Sequence, residues 1–101
     1  MEEYVKNLNE MSLERRNGMY NGWILMYIVQ GTSNVEIAEK IMLDDDKDEL
    51  IKANNRIKEE KRIKISKDID NNSCIDIRDV ELYNKCTAIY EYIESKSINN
   101  N

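Results

Sequence analysis

The chain has 101 residues, of which 35% are charged and 41% hydrophobic, and its net charge is −5. This length allows one domain with one core. Histidine is absent, and Cys74 and Cys86 are the only cysteines, so the usual zinc ligands and the usual general base at neutral pH are missing. We therefore expect no catalytic site, no metal site and no cofactor, and a protein that acts by binding.

The apolar segments are short. The longest run, residues 23–29, falls far below the roughly 20 residues that a membrane-spanning helix needs. The first residues lack the basic and then apolar order of a signal peptide. We therefore expect a cytoplasmic protein with reduced, buried thiols and no membrane partner.

The N-terminal part of the chain reads as helical. Residues 1–18 are predicted to form a polar helical extension, with Ser12 as the cap of a second helix start and a break or kink at Asn17–Gly18. Residues 19–30 are the most apolar stretch and predict a buried helix. Gly31 directly follows them, as expected for a glycine that ends a helix in the left-handed conformation.

Two further helices are predicted before residue 62. Ser33 and Glu36 have the spacing of a capping box, which opens a short helix with Val35, Ile37, Ala38 and Ile41 facing inward. It is predicted to stop near Met42 or Leu43. The acids of residues 44–46 favour the start of a third helix, from about Lys47 to Lys61, with Leu50, Ile51, Asn54 and Ile57 inside.

The hydrophobic period then changes from 3.6 to 2. Apolar and charged residues alternate in Arg62–Ile65 and in Ile75–Ile77, and Lys67–Ser73 between them contains turn-forming residues, a pattern that predicts a β-hairpin. Asp79 is then expected to cap a last helix, with Leu82, Cys86, Ile89 and Ile93 inward and a frayed tail at residues 96–101. The predicted fold is therefore one mainly α domain with a β-hairpin (α+β), spanning residues 1–101.

This order of elements resembles the winged helix-turn-helix superfamily over residues 19–77. The segment Ser-Asn-Val-Glu-Ile-Ala-Glu-Lys-Ile at 33–41 and the stretch from Leu50 through Ile57 to Ile63 are the most similar parts. The resemblance implies sequence-specific binding of double-stranded DNA without catalysis. Length, element order and composition also resemble relaxosome accessory proteins of conjugative plasmids. That resemblance implies a homodimer that binds near an origin of transfer and contacts a relaxase or other transfer proteins. A winged-helix transcriptional regulator is the alternative within this class.

The charges of the predicted third helix are segregated. Residues 44–50 contain five acids and one lysine, whereas residues 52–67 are strongly basic. Because phosphates repel acids, we expect DNA contact through the second half of this helix and the wing rather than through its N-terminus. The predicted DNA-binding residues are Lys52, Asn55, Arg56, Lys58, Arg62, Lys64 and Lys67. The alternative is that these charges form an ordinary solvated face.

Two other interpretations concern protein partners. The acids around Asp44–Glu49 and the net negative charge also suit a protein-binding inhibitor whose acidic surface mimics DNA. On the last helix, a second stripe at helical spacing predicts a homodimer interface, and it consists of Val80, Tyr83, Thr87 and Tyr90. The alternative for this stripe is that Tyr4, Val5 and Leu8 cover it within one chain.

Overall fold

Four α-helices make up the part of the chain that the structure, a computed structural model, describes. It covers residues 12–99, with side chains through Ser97. In chain order the helices are α1 (Leu13–Val29), α2 (Asn34–Leu43), α3 (Lys47–Asp70) and α4 (Ile77–Asn99). Most of the predicted N-terminal extension, including Tyr4, Val5 and Leu8, lies outside the described residues. Within residues 12–99, no helix is both long enough and apolar enough to cross a membrane.

The helix-end signals at Ser12, Ser33 and Gly31 are confirmed. The Ser12 hydroxyl accepts a hydrogen bond from the Arg15 amide at 3.3 Å, and the Ser33 hydroxyl accepts one from the Glu36 amide at 3.2 Å. Each serine therefore satisfies a backbone donor that has no partner inside its helix. Gly31 has a φ of +81° and follows the last turn of α1, where a side chain would be strained.

Four local predictions are wrong. α1 continues through Asn17–Gly18 without a break. The apolar residues that follow them lie on one face of the same helix, and this face packs in the core. Val35 is 45% exposed rather than inward, and Cys74 is exposed rather than buried. The side chain of Asp76, not that of Asp79, accepts the hydrogen bond from an amide in the first turn of α4.

The predicted β-hairpin is also wrong, and with it the wing and the α+β fold class. No strand occurs within residues 12–99, so the described fold is all-α. Arg62–Ile65 lies inside α3, which continues to Asp70. Asn72 then adopts a φ of +55°, and the Ser73 amide donates to the Asp68 carbonyl at 2.8 Å. This hydrogen bond and the left-handed conformation of Asn72 terminate α3 at a position where the sequence predicts a turn between strands.

A carboxylate on α4 explains why the alternating segment is helical. Lys61 Nζ lies 3.0 Å from Asp79 Oδ1, and Lys64 Nζ lies 2.9 Å from Asp79 Oδ2. Residues three apart share one face of a helix but point to opposite faces of a strand. Both lysines can therefore meet one carboxylate only if residues 61–64 are helical. The helical register also separates Ile63 from Ile65, of which only Ile65 is half-buried.

The core lies where all four helices meet. The residues with no exposed surface are Ile24, Ile37, Ala38, Ile41, Ala53, Cys86 and Ile89. One polar side chain lies among them, since Asn54 Nδ2 donates to the Cys86 carbonyl at 2.9 Å. This buried bond links α3 to α4, and a shift of either helix would leave the Asn54 Nδ2 donor without its partner.

Proline at position 67 distinguishes the helix from a hairpin loop. We expect Lys67→Pro to lower the free energy of unfolding by about 3 kcal/mol, because the ring removes a helical hydrogen bond and clashes with the preceding turn. Urea unfolding followed by circular dichroism measures this. Lys67→Ala is the control and should change stability little. A proline variant as stable as the alanine variant would contradict a helix at this position.

Candidate interaction surfaces

The residues predicted to bind DNA all lie on α3, but they do not form one basic face. Five are exposed and two are half-buried. The exposed ones are Lys52, Asn55, Arg62, Lys64 and Lys67, and the half-buried ones are Arg56 and Lys58. The face opposite the core alternates in charge, because Asp48, Glu59 and Asp70 lie on it at helical spacing among the basic residues.

Two of the exposed cations have acidic partners one turn away. Lys52 Nζ lies 3.4 Å from Glu49 Oε1, and Arg62 Nε donates to Glu59 Oε2 at 3.0 Å. The hydrogen bond with Arg62 lowers the pKa of the Glu59 carboxyl, which keeps it charged. Exposed pairs of this kind contribute little stability. Their effect is on the local potential, since each cation brings a negative charge close to any approaching phosphate.

The two half-buried cations point toward neighbouring helices. Arg56 Nη2 donates to Asn21 Oδ1 of α1 at 3.3 Å. Lys58 Nζ lies 5.4 Å from the centre of the Tyr83 ring of α4, a cation–π contact. Both side chains therefore contribute to packing between helices, so they are less available for the predicted contacts with DNA.

The carboxylate of Asp79 holds two more of the basic residues. Its side chain is only 6% exposed, whereas that of Lys61 is 21% exposed and that of Lys64 is 53% exposed. The ion pairs with Lys64 and Lys61 hold the pKa of Asp79 below its ordinary value. The same contact raises the pKa of Lys64. Lys64 is thus partly neutralised by a buried acid in the folded chain.

The negative charge of the protein is concentrated in α2, the following turn and the start of α3. Residues 34–49, which we call the acidic segment, contain seven acids and two lysines. Their net charge of −5 equals that of the whole chain, so the remaining residues are neutral in sum. Lys40, one of the two lysines, has its Nζ 5.4 Å from the centre of the Tyr27 ring.

The turn within the acidic segment is held in place by specific hydrogen bonds. Asp44 Oδ1 accepts from the Asp46 amide at 2.8 Å, and the Tyr20 hydroxyl donates to Asp46 Oδ2 at 2.6 Å. Burial, and then this bond to Asp46, raises the pKa of Tyr20 to about 12. Asp45 and Asp48 are exposed beside them. The acids of this turn therefore project from a backbone that α1 supports.

An apolar groove opens beside the acidic segment, between α2 and α4. Its volume is about 350 Å³, and it is lined by Glu39, Met42, Leu43, Tyr92 and Lys96. The Tyr92 hydroxyl donates to Glu39 Oε1 at 3.2 Å across it, and Lys96 Nζ lies 5.4 Å from the centre of the Tyr92 ring. Leu43 is 86% exposed at its edge. The exposed face of α2 thus presents two acids and one large apolar side chain to solvent, namely Glu36, Glu39 and Leu43.

Sequence reasoning missed this groove. At Met42 and Leu43 the sequence predicts only the end of a helix. One sequence signal was available, because a large apolar residue stands directly before three acids at Leu43. The contribution of Tyr92 and Lys96 had no such signal, since they come from a helix 50 residues away and only packing brings them to α2.

The predicted dimer stripe is half-buried within a single chain. Tyr83 lies under Lys58, and the Thr87 hydroxyl donates back to the Tyr83 carbonyl of its own helix at 3.0 Å. Val80 and Tyr90 are also half-buried. The stripe flanks the core-facing side of α4 toward α3, so part of its surface is already covered, and the homodimer remains a prediction.

The described residues contain no cluster of three or more histidine, cysteine, aspartate or glutamate side chains that could hold a metal ion. Cys86 is fully buried, and burial raises the pKa of its thiol to about 11. A thiol with such a pKa is almost entirely protonated at neutral pH and is a poor nucleophile.

Comparison of the chain with models of protein families, with curated protein sequences and with solved structures finds no match. Functional inference therefore rests on the geometry and charge described above.

Removing the charge of Asp79 tests its contact with the two lysines. We expect Asp79→Asn to lower the free energy of unfolding at pH 7 by about 1 kcal/mol, because two partly exposed ion pairs are lost. The depressed folded-state pKa stabilises the protein above the unfolded pKa of about 3.9, and this contribution disappears as the pH falls through the folded value. The difference between wild type and variant, measured by urea unfolding, should therefore be constant above about pH 5 and shrink below pH 4. A difference that does not depend on pH would contradict the contact.

Light scattering tests the dimer stripe. We expect the wild type to scatter as a dimer at micromolar concentration, and Tyr90→Glu to scatter as a monomer, because a charge at an apolar interface loses its hydration. Unchanged circular dichroism of the variant would show that its fold is intact. A wild type that is monomeric both alone and with DNA would contradict the prediction.

Proposed function

We propose that this protein is a non-catalytic binding protein whose acidic segment docks on a basic surface of another protein. The nucleic-acid-binding face of a DNA-binding protein has the required charge. The observation that carries the proposal is the concentration of the entire net charge of −5 in residues 34–49. The same segment contains Leu43, which is 86% exposed.

The arrangement of the acids supports docking rather than simple solubility. The bond between Tyr20 and Asp46 and the turn bond between Asp44 and the Asp46 amide hold this backbone in one shape. Charges on a backbone that is already ordered lose less conformational entropy on binding. Asp45 and Asp48 stay exposed for contact with lysine or arginine side chains.

The exposed apolar side chain supports a protein partner over a small cation. Leu43 directly precedes the three acids of the turn, and it lies beside a groove with apolar walls. Protein interfaces combine a buried apolar centre with a polar rim. The acidic segment contains both parts within one helix and one turn.

Sequence-specific binding of double-stranded DNA is the second candidate. It is favoured by the three-residue connection between α2 and α3, which has the length found in helix-turn-helix proteins, and by the exposure of Asn55 and Lys67 on α3. A role near an origin of transfer, with a relaxase as partner, or in transcriptional regulation depends on this candidate. The acids within 4 Å of Lys52, Arg62 and Lys64 make it the weaker of the two.

Two probes separate the candidates: a lysine-rich peptide and a DNA duplex, each measured by fluorescence anisotropy over a range of salt concentrations. We expect the peptide to bind with an affinity that falls as salt rises, and the duplex not to bind, because phosphates meet a chain of net negative charge. Neutralising Asp44, Asp45 and Asp48 to asparagine should weaken peptide binding at least tenfold. Asparagine keeps the side-chain acceptor that the turn uses at position 44.

The matched control neutralises Glu81, Glu91 and Glu94 of α4 to glutamine. These acids are also exposed. Because three acids are neutralised in each variant, the two variants have the same net charge. It should bind the peptide almost as the wild type does. Equal weakening in both variants would reduce the effect to net charge and contradict the proposal. Duplex binding that Arg62→Ala and Lys67→Ala weaken, without peptide binding, would establish the second candidate instead.

A further inference from the structure

We infer that the groove between α2 and α4 receives an apolar side chain from the same basic partner, so that the partner segment is a basic amphipathic helix. This inference rests on the proposed function and specifies the chemistry of the partner. The groove has room for such a side chain, since its volume is about 350 Å³. Met42, Leu43 and Tyr92 supply its apolar surface, and their backbone positions are fixed by two packed helices.

The charges around the groove select a basic occupant. Glu36 and Glu39 precede Leu43 along the exposed face of α2, and the acids of the turn follow it. A helix lying along the groove with leucines on one face and lysines flanking them would place its cations near these acids. Amphipathic helices bind apolar grooves in this way, through residues at i, i+3, i+4 and i+7.

The same charges argue against a second copy of this chain. In a symmetric dimer both copies use the same surface. A symmetric contact through the groove would therefore bring two acidic segments together. Like charges placed opposite each other across an interface disfavour association. A second copy would offer Lys96 from the groove and Lys40 from α2, against Glu36, Glu39 and the three acids of the turn.

The position of Tyr92 supports a preformed groove. Its hydroxyl is bonded to Glu39 of α2, and its ring is in contact with Lys96. The two walls are therefore linked across the opening before any partner arrives. A side chain that enters the groove displaces water from apolar walls, with little reordering of the protein.

Two peptides of identical composition test the inference. Both contain lysine and leucine, but only one has the leucines at i, i+3, i+4 and i+7, and the other has them scrambled. We expect the wild type to bind the amphipathic peptide about tenfold more tightly, since a tenfold gain requires only about 1.4 kcal/mol and burial of a leucine supplies at least that much. Leu43→Ser should abolish this preference and leave the affinity for the scrambled peptide unchanged.

Val29→Ser is the matched control, because Val29 is 84% exposed on α1 and does not line the groove. It should retain the preference. With ¹³C-labelled methionine methyl groups, the amphipathic peptide should shift the NMR signal of Met42, which lines the groove, and not that of Met26, which is 47% exposed on α1.

The outcomes separate this inference from the proposed function. If the wild type binds both peptides equally, and the loss of Asp44, Asp45 and Asp48 still weakens both, the groove inference is overturned and the proposed function stands. If neither peptide binds, both are overturned. A preference lost equally in Leu43→Ser and Val29→Ser, or a dimer that Leu43→Ser dissociates, would also overturn the assignment of the groove to a basic helix.

Discussion

The contact of Asp79 with Lys61 and Lys64 joins the start of α4 to the middle of α3, and the arrangement of the second half of the chain depends on it. It requires helical spacing at residues 61–64 and draws the two helices together beside the bond between Asn54 and Cys86. A buried carboxylate needs partners to remain charged. Lys61 and Lys64 are these partners, so their charges stabilise the contact between α3 and α4.

The pairing of these lysines with Asp79 changes the electrostatic character of the molecule. The basic stretch of α3 is balanced by Asp79 and by acids on the same helix, whereas residues 34–49 contain seven acids and only two lysines. The two surfaces therefore differ in what they can attract over a distance, since unbalanced charge determines long-range steering. A helix-turn-helix spacing by itself does not decide between DNA and protein as the partner, because similar folds serve many functions.

The candidate site was only partly predictable. The acids at Asp44–Glu49 and their suitability for a protein partner follow from composition, and they were one of the interpretations drawn from the sequence. The groove required α2 and α4 to be adjacent, a relationship between residues about 50 positions apart. Arg56 and Lys58 are the opposite case, because a linear list of charges shows them only as candidate DNA contacts. Their contacts with Asn21 and Tyr83 appear only when α1 and α4 are packed against α3.

The sequence by itself determined the features that depend on neighbouring residues. The serine caps at Ser12 and Ser33, the left-handed Gly31 and the periodic core positions of the helices all arise within a few residues of chain, where backbone sterics and hydrogen bonding are decisive. The tertiary structure alone decided whether residues 62–77 form strands or helices. Alternating isoleucines and charges satisfy a hairpin locally. A carboxylate from α4, placed beside two lysines one helical turn apart, favours the helix, and no local pattern contains that contact.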